Sequence, residues 1–124
     1  MRVLSIVSSA YRATVEEQDD TVIWFTHAIK GAGADVDMLL KGPAVNYAVM
    51  GQAVAPVTIG TRTQRQGPDV CGQVAGLIGK GVQVFVAEVD LERRGLAKAP
   101  LIDGARRVRD IPALFSEYDR VWHW

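Results

Sequence analysis

Cysteine is almost absent from this sequence, which has one, Cys71, among its 124 residues. A single cysteine cannot form a disulfide within the chain, so a disulfide-stabilised fold is excluded and a reducing compartment, the cytoplasm, is expected. Histidine is scarce as well, because His27 and His123 are the only two and lie in distant segments. No metal-binding spacing connects these three residues, and we expect neither a metal nor another cofactor.

An excess of charge of one sign is also lacking, since 14 basic side chains balance 14 acidic ones. A chain without net charge has no long-range field that attracts polyanions, so we expect no nucleic-acid partner and no membrane partner. No apolar run approaches the roughly 18 residues of a membrane-spanning helix. The apolar core of the N-terminal segment MRVLSIVSSA is too short for a secretion signal, and the segment is predicted to form the first strand.

Two common functional motifs are missing. The glycines of Gly31-Ala32-Gly33 follow a predicted helix and precede a predicted strand, which is the reverse of the order in a dinucleotide fingerprint or a P-loop. The pattern Gly-x-Ser-x-Gly is absent, so Ser8 and Ser9 do not form the nucleophile elbow of a hydrolase. The sequence therefore predicts neither a nucleotide site nor a serine nucleophile.

What the chain does contain is a regular alternation of strand and helix patterns. Short runs of branched and apolar side chains predict strands at 2–7, 35–40, 82–86, 105–110 and 120–124. Helical spacing, capping and proline signals predict helices from about Val15 to Gly31 or Gly33, at 45–50, from Pro68 to about Lys80, directly after the third strand, and at 112–118. Residues 51–67 are predicted to be a long surface connection. This alternation predicts one α/β domain, residues 1–124, with a mainly parallel sheet of about five strands and helices on both faces.

Polar side chains follow several of the predicted strands. Because parallel strands end at one edge of a sheet, we expect these side chains to form a polar rim there, where a small ligand can bind at a topological switch point. Ordinary loop polarity explains the same residues equally well, and both interpretations stay open. The rim residues are Ser8, Ser9, Tyr11, Arg12, Asn46, Tyr47, Glu88 and Asp90.

Cys71 and His27 each have a functional and a structural interpretation. Cys71 lies in the first turn of a predicted helix, where backbone N–H groups favour a reactive thiolate. Its neighbours Val70 and Gly72 favour instead a small, partly buried apolar side chain. His27 lies three residues after Trp24 on a predicted helix, and the pattern favours a structural or interface histidine. The structural interpretation is preferred for both residues.

Four segments carry a resemblance to a known family: KGAGADVDMLLKG, the NYAV that soon follows it, GKGVQVFVAEVDLERRGL, and the closing YDRVWHW. Over essentially the whole chain, the sequence resembles the DsrE/DsrF-like family of small sulfur-relay proteins. The resemblance implies a flavodoxin-like or Rossmann-like three-layer sandwich and a homo-trimer or homo-hexamer. In the sulfur-carrying members, a cysteine just past the third strand accepts a persulfide. Counted back from Arg93-Arg94-Gly95, the matching position here is Ala87.

The resemblance implies a cytoplasmic, homo-oligomeric binding or accessory protein related to sulfur metabolism or sulfur relay. An alanine methyl group cannot form a persulfide, so carrier activity is not expected at position 87. The expected partners are further copies of the chain and a small ligand or a sulfur-carrier protein. The expected ligand-binding residues are Ser8, Ser9, Tyr11, Arg12, Asn46, Tyr47, Ala87 and Glu88. The alternative stays open: a sulfurtransferase or sulfur carrier that uses Cys71, or another small-molecule enzyme that uses the same pocket.

Two further expectations follow from the sequence. Apolar residues extend round the first long helix beyond one stripe, and the chain closes with Val121-Trp122-His123-Trp124. Exposing that surface costs roughly 25 cal/mol per Å², so we expect it to be buried between copies of the chain. Position 87 is expected to lie in a loop that is open enough for a cysteine there to be accessible.

Overall fold

The computed structural model describes residues 1–12 and 14–124, and of Val15 and Glu16 it describes the main chain alone. The strands are β1 (Arg2–Val7), β2 (Asp35–Leu40), β3 (Val57–Ile59), β4 (Arg62–Gln64), β5 (Val84–Ala87), β6 (Arg106–Val108) and β7 (Arg120–His123). The α-helices are α1 (Thr14–Glu17), α2 (Thr21–Gly31), α3 (Val70–Gly79), α4 (Glu88–Arg93) and α5 (Ile111–Phe115). A 3-10 helix spans Gly42–Ala48. None of the described helices is long and apolar enough to cross a membrane.

Five strands form one sheet in the order β6-β5-β2-β1-β7, and every neighbouring pair is parallel. The chain moves outward from β1 through β2 and β5 to β6, and then returns to the other side of β1 as β7. The winding therefore reverses between β1 and β7, which is where ligands bind in open α/β sheets. The predicted fold class, a single-domain flavodoxin-like or Rossmann-like sandwich with a parallel sheet of five strands, is confirmed.

The sheet is buried on both faces because helices pack on each side. Alternate strand residues point to opposite faces, so a parallel sheet with two apolar faces needs two helical layers. On one face, α2, α3, α4 and the 3-10 helix pack against the sheet through Ile23, Val74, Leu77, Leu91, Val45 and Tyr47. On the other face, α5 packs through Leu114 against Leu4, Ile6, Leu39 and Phe85. The helices on the first face also carry the loops that surround the strand ends.

The first long helix is interrupted, which corrects the prediction of one helix from Val15. Gln18 has a φ of 64°, in the left-handed region, and this breaks the segment into α1 and α2. Asp20 then caps α2, because its Oδ1 accepts hydrogen bonds from the N–H groups of Val22 at 2.9 Å and Ile23 at 3.2 Å. A buried aspartate that satisfies two free N–H groups starts a new helix at this point.

The other element boundaries differ in smaller ways. The predicted helix at 45–50 is the 3-10 helix, and α3 begins after Pro68 because Asp69 caps it through the N–H of Gly72 at 2.9 Å. The predicted surface connection 51–67 contains the exposed hairpin β3–β4, whose Thr58 and Thr63 hydroxyls lie 2.9 Å apart. Ala87 is the last residue of β5, with 1% exposure, and not part of an open loop.

Candidate functional site

A cavity of about 340 Å³ lies beside the loop that follows β1. We call it the Tyr11 cavity. It brings together three of the predicted rim residues and the single cysteine, although these residues come from three separate segments of the chain. Its lining side chains include Tyr11, Asn46, Tyr47, Gln52, Val54 and Cys71.

A chain of hydrogen bonds holds Tyr11 at this cavity. The buried Tyr47 hydroxyl donates to Oδ2 of Asp20 at 2.6 Å and accepts from the N–H of Tyr11 at 2.6 Å. Tyr11 has a φ of 60°, which a non-glycine residue adopts at a cost of about 1–3 kcal/mol unless its surroundings hold it. Its ring packs edge-on against that of Tyr47, with the centroids 5.1 Å apart. The cap of α2 thus also positions the aromatic wall of the cavity.

Burial, and then the hydrogen bond to Asp20, raise the pKa of Tyr47 far above its ordinary value of 10.0. Burial, and then the charge of Cys71, raise the pKa of Tyr11. Both hydroxyls therefore stay protonated at neutral pH. The single proton of the Tyr47 hydroxyl is committed to Asp20, so the exposed hydroxyl of Tyr11 is the neutral phenol that can bond to a ligand in the Tyr11 cavity.

The raised pKa of Tyr47 predicts a loss of stability at alkaline pH. An unfolded tyrosine ionises near pH 10, whereas the folded Tyr47 does not, so the unfolded state loses a proton first. The free energy of unfolding should be independent of this group below about pH 10 and should fall above it, by up to about 1.4 kcal/mol per pH unit. Urea unfolding between pH 8 and pH 11 measures the slope.

The pH comparison needs a background without the other tyrosine whose hydroxyl donates to a carboxylate. The hydroxyl of Tyr118 donates to the buried Asp37 at 2.7 Å, and burial and this bond raise the pKa of Tyr118 in the same way. In a Tyr118→Phe background, Tyr47→Phe should flatten the alkaline decline. An equal slope with and without the Tyr47 hydroxyl would contradict the prediction.

Cys71 is held as a thiol in this cavity. Its Sγ lies 3.6 Å from the main-chain oxygen of Val49. Burial, and then the negative charge of Asp69, raise the pKa of Cys71. The sequence predicted that the free N–H groups at the start of α3 would favour a thiolate. Asp69 caps those groups and adds a negative charge, and both effects oppose ionisation of the thiol. The thiol thus lines a cavity, and its surroundings raise its pKa instead of lowering it.

A second cavity, of about 400 Å³, lies at the C-terminal ends of the strands and includes Ala87. We call it the Ala87 cavity. Ser8 lines it from the end of β1, Gly42 from the start of the 3-10 helix, Asp90 from α4 and His123 from the end of β7. The ends of β1 and β7, between which the strand order reverses, therefore line a cavity.

The loop after β2 is fixed tightly against this cavity. The N–H of Gly42 donates to Oδ2 of Asp90 at 2.9 Å. Gly42 has a φ of 53°, and a Cβ at this position would lie 3.2 Å from the main-chain oxygen of Ser8. Both observations favour glycine here. Glu88 lies beside the cavity and pairs with Arg109 at 3.5 Å.

The predicted rim is thus divided between sites. Tyr11, Asn46 and Tyr47 line the Tyr11 cavity, and Ser8, Ala87 and Asp90 line the Ala87 cavity. Arg12 instead lines a third, more apolar cavity of about 520 Å³ with Trp24, Phe25 and Trp124. Ser9 lines none of these three. In the described part of the chain, no three His, Cys, Asp or Glu side chains gather as a metal ion requires.

The polar lining residues that were not predicted from the sequence include Lys41, Gln52 and His123. Lys41 directly follows β2, and His123 is the last residue of β7. Ser8 was selected because it follows a predicted strand, and the same criterion selects these two residues. Gln52 has no such marker. Its amide nitrogen donates to the main-chain oxygen of Val49 at 2.9 Å, a contact that depends on the turn after the 3-10 helix.

Comparison with solved structures shows a likeness to the ychN protein from E. coli. The TM-score is 0.75, and the match covers 99% of this chain and 98% of that chain at 16% sequence identity. The E. coli protein has a DsrE-like fold. This chain has the same fold. No family model matches the sequence, and no curated protein matches it. At 16% identity, the likeness extends to the course of the backbone and not to the roles of individual side chains.

Proposed function

We propose that this DsrE-like chain is a cytoplasmic binding or accessory protein related to sulfur relay, without persulfide-carrier activity of its own. Its ligand is a small molecule or the sulfur-bearing arm of a partner, and it binds in the Tyr11 cavity. The observation that carries the proposal is the hydrogen-bonded arrangement of Asp20, Tyr47 and Tyr11, which holds the Tyr11 side chain at an open cavity.

The chemistry of the two candidate sulfur positions supports a binding role over a carrier role. Ala87 has no nucleophilic atom, and its methyl group is buried in the core. Cys71 has a raised pKa, and the thiolate is the form that attacks sulfur. A cavity lined by the Tyr11 phenol, the Cys71 thiol and the Asn46 amide can recognise a ligand by shape and hydrogen bonds.

Intact-mass spectrometry after incubation with a persulfide donor tests the proposal. We expect no stable gain of one sulfur atom by the wild-type chain, because burial and Asp69 raise the pKa of its thiol and so lower the fraction of reactive thiolate. Ala75→Cys is a suitable positive control, since Ala75 is exposed on the same helix as Cys71. That variant should gain one sulfur under the same conditions. A stoichiometric gain by the wild type that is lost in Cys71→Ala would contradict the proposal.

The second candidate function is a sulfurtransferase or carrier that uses Cys71. One observation favours it: the thiol lines the same cavity as Tyr11 and Tyr47, so a bound sulfur donor would lie close to it. This candidate requires a ligand or partner that lowers the pKa of Cys71 on binding. The gain of one sulfur described above, dependent on Cys71, is the result that would establish it.

We also propose that the chain functions as a homo-oligomer. Trp24 and Trp124 are 58% and 43% exposed, and both line the apolar cavity that includes Phe25. The hairpin β3–β4 carries Ile59 at 78% exposure. An isolated two-stranded hairpin is only marginally stable in water. A second copy of the chain would bury both features.

Light scattering tests self-association. We expect a mass of several chains, a trimer or a hexamer, for the wild type. Trp24→Glu should lower the mass, because burying an unpaired carboxylate in an apolar interface between chains is costly. Lys98→Glu changes the charge of an exposed residue elsewhere and should leave the mass unaltered. A wild-type mass equal to one chain would refute the homo-oligomer.

A further inference from the structure

Ser8 and His123 form a hydrogen-bonded pair in the Ala87 cavity. The Ser8 Oγ lies 2.9 Å from Nε2 of His123 and 2.9 Å from the main-chain oxygen of Trp124. A serine hydroxyl has one proton, and a main-chain oxygen can only accept. Ser8 therefore donates to Trp124, and Nε2 of His123 donates to Ser8. This is the reverse of the direction in a serine nucleophile activated by histidine.

The direction of that hydrogen bond decides which nitrogen of His123 remains free. A neutral imidazole that carries its proton on Nε2 has an acceptor at Nδ1. Within the described residues, Nδ1 of His123 has no hydrogen-bond partner, and the ring is exposed at the cavity. Ser8 thus acts as a positioning residue that presents an acceptor to any ligand with an O–H or N–H group.

Among the described residues, the ion pairs around the cavity leave one cationic side chain without a carboxylate. Three cationic side chains line it. Arg93 pairs with Asp90 at 3.7 Å, and Arg109 pairs with Glu88 and Glu92. The ammonium group of Lys41 has no ion pair in the part of the chain that the structure describes. Lys41 is therefore the one of the three lining cations, Lys41, Arg93 and Arg109, that is free in the described chain to pair with an anionic ligand.

Lys41 is also held in place by its main chain. Its N–H donates to the main-chain oxygen of Val7 at 2.9 Å, and its carbonyl accepts from the N–H of Ala44 at 3.0 Å. The side chain is half-buried at the end of β2. The side chain of Lys41 therefore starts from a fixed point beside the cavity, and an ammonium group without an ion pair attracts an anion.

We infer that the Ala87 cavity is a binding site for a small hydroxy-carboxylate. The carboxylate pairs with Lys41, and the hydroxyl of the ligand donates to Nδ1 of His123. A volume of about 400 Å³ is within the usual range for small-ligand sites. The inference does not rest on the proposed function, because it concerns different residues and a different cavity.

Glycolate and acetate form a matched pair of probes, since they differ by one hydroxyl group. In calorimetric titration of the whole protein, glycolate should bind about tenfold more tightly than acetate, which corresponds to about 1.4 kcal/mol. Lys41→Met should weaken both by about tenfold. His123→Phe should remove the advantage of glycolate and leave acetate unchanged. Lys80→Met, at an exposed lysine after α3, is the control and should change neither.

The imidazole ¹⁵N chemical shifts provide a readout that does not depend on a ligand. The wild type should show the tautomer with its proton on Nε2, and Ser8→Ala should show a mixture of tautomers because the acceptor of that proton is lost. A wild-type tautomer with its proton on Nδ1 would overturn the inference. Equal affinities for glycolate and acetate, or a Lys41→Met effect no larger than that of Lys80→Met, would also overturn it. If His123→Phe does not fold, His123→Leu takes its place, since leucine also lacks an acceptor.

Discussion

Asp20→Ala is expected to lower the free energy of unfolding by about 2–4 kcal/mol. Two losses combine at this residue. The N–H groups of Val22 and Ile23 lose their cap, which costs about 0.5–2 kcal/mol. The Tyr47 hydroxyl loses its buried acceptor, which costs about 1–3 kcal/mol. Urea unfolding monitored by tryptophan fluorescence measures the sum.

Asp69→Ala is the matched control for Asp20→Ala. Asp69 also caps a helix, but it is exposed and accepts a hydrogen bond from a single N–H group, that of Gly72. Its replacement should cost about 1 kcal/mol. Asp20→Asn should be intermediate, since an amide keeps the capping oxygen but cannot accept from Tyr47 with its nitrogen. Equal effects of Asp20→Ala and Asp69→Ala would mean that the bond to Tyr47 contributes nothing to stability.

Ala87→Cys is expected to react with a maleimide on the order of 100-fold more slowly than Cys71 in the same chain. Ala87 is 1% exposed, whereas Cys71 is only half-buried. A thiol without exposure reacts only when the structure opens locally, and the opening equilibrium lowers the rate. This order is the opposite of the one expected from an open loop at position 87. Peptide mapping of the labelled protein gives both rates in one experiment.

Two measurements make the labelling result decisive. Ala97→Cys places a thiol at an exposed position after α4 and should label fastest of the three. In denaturant, all three thiols should react at similar rates. If Ala87→Cys labels as fast as Ala97→Cys in the native protein, then the Ala87 cavity admits the thiol, and the position is open as a carrier site requires.

Strand and helix periodicity was sufficient to predict the architecture. Runs such as Val82–Val86 are apolar at most positions, as strands buried on both faces must be, and each is separated from the next by a helical pattern. Connections between parallel strands are almost always right-handed crossovers. Few topologies satisfy these constraints, so the parallel sheet of five strands followed from local information.

Local information was insufficient wherever a distant group decided the outcome. A continuous helix from Val15 is favoured by propensity, but the buried Asp20 starts a new helix because Tyr47, 27 residues away, binds its second oxygen. Cys71 has a helix start beside it, but burial and then the charge of Asp69 raise the pKa of its thiol.

The sequence by itself determined the alternation of strands and helices, the apolar pattern of the core, and the absence of a nucleophile at position 87, since these depend on residue identity and short-range spacing. The tertiary structure alone decided how the polar residues at the strand ends are shared between cavities. It placed Tyr11 with Cys71, and Ser8 with His123, although the members of the second pair are 115 residues apart. Such pairing depends on the strand order, which brings β1 beside β7, and no periodicity within a segment encodes it.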